Sequence, residues 1–239
     1  MQRYFAKIID NHAILTDEDA FHVLRVMRAK TGEEIEIVNE GTVYIGKIVK
    51  TRPLVVEIVE KTDENHELNV DLVLVMSILK GEKLDLVLQK ATEIGAKEII
   101  LVRSERSIGK IRSYEVEHKL KRFQKIAKEA SEQSKRSIIP SITKVIDFKQ
   151  IALLSGDYMF MGATNEEQTA ADFVKIIKTI KAKSRIYVLV GPEGGFSERE
   201  VDFAKRCGFL PVSLGRRILR AETASISLLS VIATLLDGQ

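Results

Sequence analysis

The 239-residue chain has no tryptophan, one cysteine, four prolines and four histidines. The single thiol, Cys207, excludes an intramolecular disulfide and any cysteine-rich metal cluster, and it fits a reducing compartment. Such a thiol is expected to be buried and inert. The histidines follow no metal-ligand spacing, so no metal site is expected; His22, in FHVLRV, is read as a helix-surface or locally packed residue. Long apolar runs are also missing. The longest, ASISLLSVIATLL at 224–236, is too short and too rich in Ser and Thr to span a bilayer, and MQRYFAKIID carries no apolar signal core. The expectation is a soluble, cytoplasmic protein. With 45% hydrophobic residues the chain has enough apolar material for one large core or two modest ones.

The net charge of +3 is unevenly distributed. Residues 1–68 hold nine Lys/Arg against thirteen Asp/Glu, a net of −4, and the remainder holds 28 against 21, a net of +7. Within it, 103–136 carries eleven basic and five acidic residues. That density suits a polyanionic partner, although a solvated helix face such as Lys119, Lys121 and Lys125 has the same composition.

Two rhythms divide the chain. Up to about residue 68, the runs EIEIV, TVYIGKIV and LVVEIVE, broken by Gly32, Gly41 and Pro53, predict a small β-barrel. A short helix precedes them, with Thr16 and Asp19 at capping spacing and Ala20, Val23, Leu24 and Met27 on one stripe. From residue 69 apolar strands alternate with helices: VDLVLVMSIL, KLDLVLQKATEIG, EIILV, a long basic helix near 113–135, DYMFMGA, ADFVKIIKTIKA, RIYVLVG, EREVDFAKRCG, PVSLG and ETASISLLSVIATLL. This alternation predicts an α/β domain with a parallel sheet.

Ligands of parallel sheets bind beyond the carboxyl ends of the strands. Three late strands end in glycine loops: MGAT, GPEGG and LGRRIL. GPEGGFSERE lacks the Gly-Lys-Ser/Thr of a phosphate loop and the Gly-x-Gly-x-x-Gly of a dinucleotide turn. Glu193 would repel a phosphate, so a neutral or cationic ligand is expected. Ser197 and Glu200 stand at capping-box spacing and start the next helix. In the third loop Arg216 reads equally well as surface or function, while Arg220, between Leu219 and Ala221, reads as functional.

The segments IYVLVGPEGGFSEREV, VSLGRRILRAETA, EASEQSKRSIIP and QKATEIGAKEIILVRSERS resemble the 16S rRNA (uracil-N3)-methyltransferase family of the SPOUT superfamily, and VLRVMRAKTGEEI resembles that family's PUA-like module. The resemblance implies a PUA-like β-barrel RNA-binding domain over 1–68 and a SPOUT methyltransferase domain with a deep trefoil knot over 69–239. It also implies a homodimer that binds S-adenosylmethionine and methylates N3 of one uridine of small-subunit (16S) ribosomal RNA. The implied cofactor loops comprise Gly162, Ala163 and Thr164; Val190, Gly191, Pro192, Glu193, Gly194 and Gly195; and Leu214, Gly215, Ile218, Leu219, Arg220, Glu222 and Thr223. An arginine beside the uracil oxygens would stabilise the anion formed when N3 loses its proton. Arg220 is the first candidate and Arg217 the second, with Glu193 or Glu222 as proton acceptor or as partner of a cofactor cation. Arg103, Arg106, Lys135 and Arg136 are candidates for phosphate contacts, with Gln133 and Ser134 for other RNA groups; Arg3, Arg25 and Arg28 serve the N-terminal module. Alternatives are a non-catalytic RNA-binding assembly factor, a ribose 2′-O-methyltransferase of the same fold, or an α/β enzyme acting on a small nucleotide.

Overall fold

A computed structural model describes residues 1–163 and 169–237, which cluster into two compact units. The first comprises Met1–Glu67 together with Ser131–Ile138, and the second Leu68–Ala130 and Ile139–Gln239.

In the first unit β1 (Arg3–Phe5), β2 (Lys7–Ile9), β3 (His12–Ile14), β4 (Glu34–Asn39), β5 (Thr42–Thr51) and β6 (Leu54–Lys61) form one sheet in the order β1-β4-β5-β6-β3-β2. β1 and β4 run parallel and the other neighbours antiparallel. Two hairpins turn on paired positive φ angles, Asp10–Asn11 and Glu40–Gly41, the geometry that matches the twist of the flanking strands. The sheet bends around Tyr4, Val23, Ile35, Ile37, Ile48 and Val56. The expected helix begins as read, with the Thr16 hydroxyl accepting from the Asp19 amide, but α1 (Asp17–Phe21) widens into a π turn over His22–Val26. As a result only Val23 of the apolar stripe is fully buried, and Met27 is half exposed. His22 packs locally, its Nδ1 2.8 Å from the Tyr4 hydroxyl.

A buried charge network ties the turn 131–138 into this unit. Arg3, fully buried, donates to Glu36 at 2.7 Å, to Glu64 at 2.6 Å and to the Lys135 carbonyl. Lys135 in turn pairs with Glu36 at 2.7 Å. Glu67 binds the Arg136 guanidinium at 2.6 Å and accepts from the amides of Ser137 and Ile138 at 2.8 and 3.1 Å. The expectations that Arg136 contacts phosphate and that Arg3 serves RNA through the N-terminal module are therefore corrected. Both are buried, and internal carboxylates supply the counter-charges, Glu36 and Glu64 for Arg3 and Glu67 for Arg136.

The second unit is built on β7 (Asp71–Ser77), β8 (Glu98–Arg103), β9 (Val145–Asp147), β10 (Tyr158–Gly162), β11 (Arg185–Val190) and β12 (Leu210–Val212). They are all parallel, in the order β12-β10-β11-β7-β8-β9. Alternate residues serve two cores. Leu72, Leu74, Met76, Ile99 and Leu101 meet α2 (Glu82–Ile94) and α6 (Ala221–Leu236), while Val73, Val75, Ile100 and Val102 meet Phe148, Ile151 and α5 (Glu198–Arg206). This double burial is why the strands read as continuous apolar runs. α3 (Val116–Gln133) and α4 (Ala170–Ile177) complete the helices near their expected positions. The short edge strand β9 had no alternation to announce it. At the amino ends Arg185 bridges Glu98 at 2.6 Å and the Tyr187 hydroxyl at 2.8 Å, while Lys97 pairs with Asp71 at 2.5 Å. Cys207 is half-buried rather than buried, and partial burial raises its pKa, keeping the thiol protonated.

Replacing Glu67 by Ala leaves the buried Arg136 without that carboxylate. The expected loss is about 3–5 kcal/mol in urea denaturation, whereas Glu117→Ala, at an exposed pair with Lys121, leaves the midpoint unchanged.

Candidate functional site

From β7 the chain proceeds to β8 on one side of the sheet, and from β11 it proceeds to β12 on the other. Such a reversal opens a crevice at the carboxyl ends. The segments after β10, β11 and β12 surround a cavity of about 550 Å³, inside the roughly 300–1,000 Å³ range of small-molecule sites. Of the residues expected in a cofactor site, Gly162, Ala163, Val190, Gly191, Pro192, Glu193, Gly194, Gly195, Leu214, Gly215, Ile218 and Leu219 line it, as does Arg217, a candidate for the catalytic arginine. Thr164 lies outside the described residues. Arg220, Glu222 and Thr223 do not line the cavity. Arg220 is instead the N-cap of α6, its carbonyl accepting from the Ala224 amide at 2.8 Å, so the arginine ranked first in the sequence stands outside the wall and Arg217 stands in it.

Several wall residues were missed. Ala221, Ala224 and Leu228 line the cavity from α6, and Glu198, Val201 and Asp202 from α5. Their helical spacing marks one face of each helix, a signal that becomes readable only once the neighbouring loop is known to be a site. Arg106, expected at RNA, is also in the wall.

The glycines of GPEGG have separate physical reasons. A Cβ on Gly191 would press on the Phe196 ring at 3.3 Å, and one on Gly194 would stand 3.3 Å from Arg106 Cβ. Gly195, at φ +66°, closes the turn by donating to the Pro192 carbonyl at 2.9 Å, and beside it the space is open. The loop is held from both sides. Glu200 accepts from the Ser197 amide at 2.9 Å, completing the expected capping box, and its other oxygen accepts from the Glu105 amide at 2.8 Å. The Arg106 guanidinium donates to the carbonyls of Gly194 and Phe196, each at 3.3 Å.

Glu193 carries the electrostatic character of the wall. One oxygen accepts from the Lys80 amide at 3.5 Å and from Lys83 Nζ at 3.4 Å. The other is buried with no hydrogen-bond partner among the described residues. Burial works to raise the carboxyl pKa, but hydrogen bonds from its own amide and that of Lys80, together with Lys83, outweigh it and hold the pKa below the ordinary range. Glu193 is thus a fixed anion and a weak base, suited to pairing with a cation rather than to accepting a proton. Glu222 also has a buried carboxylate oxygen without a partner among the described residues, outside the cavity wall.

A family profile described as RNA methyltransferase domain matches residues 66–233, and one described as RNA methyltransferase PUA domain matches 15–59. The chain is 31% identical to the ribosomal RNA small subunit methyltransferase E of Bacillus subtilis, over 98% of this chain and 96% of that one. The chain belongs to the ribosomal RNA small subunit methyltransferase E family. The crystal structure of the family's member from Neisseria gonorrhoeae, bound to S-adenosyl methionine, superposes with a TM-score of 0.86 at 28% identity, covering 98% of each chain. The structure of the putative methyltransferase Lpg2936 from Legionella pneumophila, in complex with the same cofactor, matches with a TM-score of 0.86 at 28% identity, over 97% of this chain and 96% of that one. The SPOUT-type α/β fold and the PUA-like module implied by the resemblance are those of this family.

The residues expected to serve RNA divide into three groups. Arg25, Arg28, Arg106 and Gln133 are exposed. Arg103, half-buried and paired with Asp147 at 3.2 Å, and Ser134 and Lys135 have partial exposure. Arg3 and Arg136 are internal. No helix among the described residues is long and apolar enough to cross a membrane, and no metal-binding cluster is present among them.

If Arg106 clamps the glycine loop, Arg106→Ala removes both carbonyl contacts. Amide hydrogen exchange at Gly195 and Phe196 is then expected to accelerate, with exchange in β7 and β11 unchanged.

Proposed function

We propose that this protein transfers a methyl group from S-adenosylmethionine to N3 of one uridine in small-subunit (16S) ribosomal RNA. The observation that carries the reading is the Glu193 carboxylate in the wall of a cavity at the strand ends, with one oxygen that has no hydrogen-bond partner among the described residues. It suits a ligand that is flat and apolar over part of its surface and positively charged elsewhere. A phosphate-bearing cofactor would be repelled at the same position. Family membership and the cofactor-bound relatives point the same way.

The cofactor supplies an electrophilic methyl group on a positively charged sulfur. The chain's own residues supply binding and orientation. Glu193, ionised and fixed by Lys80 and Lys83, offers the charge complement. Loss of the uracil N3 proton places negative charge on the flanking carbonyl oxygens, and a guanidinium donating to them lowers the barrier. Arg217 is the first candidate for that role because it lines the cavity, with Arg220 second. The N-terminal unit serves rRNA through exposed Arg25 and Arg28, and the knotted crossing belongs to the segments around the glycine loops. Ile218, largely exposed at the cavity wall, is a surface that a second copy in a homodimer would cover. The protein works in the cytoplasm on the small ribosomal subunit.

Incubated with methyl-labelled cofactor and unmethylated small subunits, the protein should yield 3-methyluridine on nucleoside analysis. Label on ribose 2′-oxygens would overturn the position, and no label at all would overturn the activity. Arg217→Ala should lower kcat by ~10²–10³ while cofactor affinity stays within a few-fold.

Glu193→Gln should weaken cofactor binding measured by calorimetry, by ~10-fold or more for a lost charged partner. Because the Glu193 pKa is depressed, its charge persists below the ordinary carboxylate range. Affinity should therefore stay flat as pH falls from neutrality through about 5 and decline only at lower pH.

A further inference from the structure

The segment between β8 and α3 does more than connect them. After Arg106 in the cavity wall, Gly109 lies against the backbone of the loop that follows β7, where a Cβ would fall 2.4 Å from the Leu79 carbonyl oxygen. Ile111 is then buried in the core, and the Arg112 amide donates to the Glu115 carboxylate at 2.9 Å, closing a helical turn. The strap is thus anchored at 105, 106, 109 and 111 and closed on itself by the 112–115 turn. Around these anchors it turns outward Ile108, 63% exposed, and Tyr114, 75% exposed, alternating with the exposed cations Lys110 and Arg112. Arg112 donates to the Tyr114 hydroxyl at 2.8 Å, and its guanidinium stands 5.9 Å from the ring centroid, so the ring is held in place while remaining accessible. Eight residue steps separate Arg106 from Tyr114, which bounds their separation at about 28 Å.

Exposed aromatic and aliphatic side chains interleaved with cations on a backbone held at fixed points are what an unpaired nucleic-acid strand requires: faces for bases and charges for phosphates. A protein partner would call for a centre depleted in lysine and other charge, which the strap's alternating cations do not offer. We propose that the strap 104–115 is the track along which the single-stranded rRNA beside the target uridine docks, with Tyr114 stacking a flanking base and Lys110 and Arg112 contacting phosphates. This rests on the reading of the cavity as the methyl-transfer site, since Arg106 joins the strap to that cavity.

The test uses the full chain and two probes, unmethylated small subunits in turnover assays and fluorescein-labelled oligouridine in anisotropy titrations. Tyr114→Ala should weaken oligouridine binding and raise KM for subunits by ~10-fold, with kcat and cofactor affinity unchanged. Tyr114→Phe, which keeps the ring, should restore most of the binding. Lys110→Ala should reduce the dependence of log K on log salt by ~0.7, one single-strand phosphate contact. Wild-type binding by Tyr114→Ala in an active protein would overturn the track and leave the methyltransferase reading standing. A wild-type protein that transfers no methyl group would overturn both.

Discussion

The site depends on a constraint of the parallel sheet: both faces of its central strands are sealed by packed side chains, so a ligand can be met only at the strand ends. β7, β8 and β11 give alternate residues to two cores, and neither face has room for a polar function. At the amino ends the edge is closed by ion pairs of Arg185, Asp71, Glu98 and Lys97. The carboxyl ends, where the crossover direction reverses between β11 and β7, are where glycine loops and charges gather.

Within that frame a single buried carboxylate organises the loop that matters most. Glu200 caps α5 with one oxygen and holds the Glu105 amide with the other, so the glycine loop and the strap after β8 are positioned by the same group. Arg106 adds a second link between them. Glu193 is then left with one oxygen tied to Lys80 and Lys83 and the other facing no protein donor among the described residues. Lys80 and Lys83 keep the group ionised without a ligand, and the proposed chemistry uses that fixed negative charge as the complement of a ligand's positive one.

Elsewhere charge serves architecture. In the linear chain Arg3 reads as an RNA-positioning residue of the N-terminal module and Lys135 and Arg136 as phosphate contacts, yet they join the turn 131–138 to the β unit through Glu36, Glu64 and Glu67. Local composition could not separate these uses, because a guanidinium suits a carboxylate and a phosphate by the same geometry. The cations that do face outward on the strap, Lys110 and Arg112, lie in the basic stretch 103–136, where composition alone does not separate an RNA contact from a solvated face.

Much of the frame was legible in advance. Period-two patterning marked the small β unit, apolar strands alternating with helices marked the parallel sheet, and Ser197 with Glu200 marked the start of α5, since each depends on neighbours within a few residues. The three glycine loops were legible as strand-end turns for the same reason, and the structure brings them, with Glu193, around one cavity. What only the tertiary structure decided was the partner of each charged group: Arg217 in the wall and Arg220 at a helix cap, Arg106 over the glycine loop, Arg136 on Glu67. Backbone geometry is set by short-range sterics and periodic burial, whereas the choice of counter-charge is made between residues dozens of positions apart, and the linear chain holds no record of that distance.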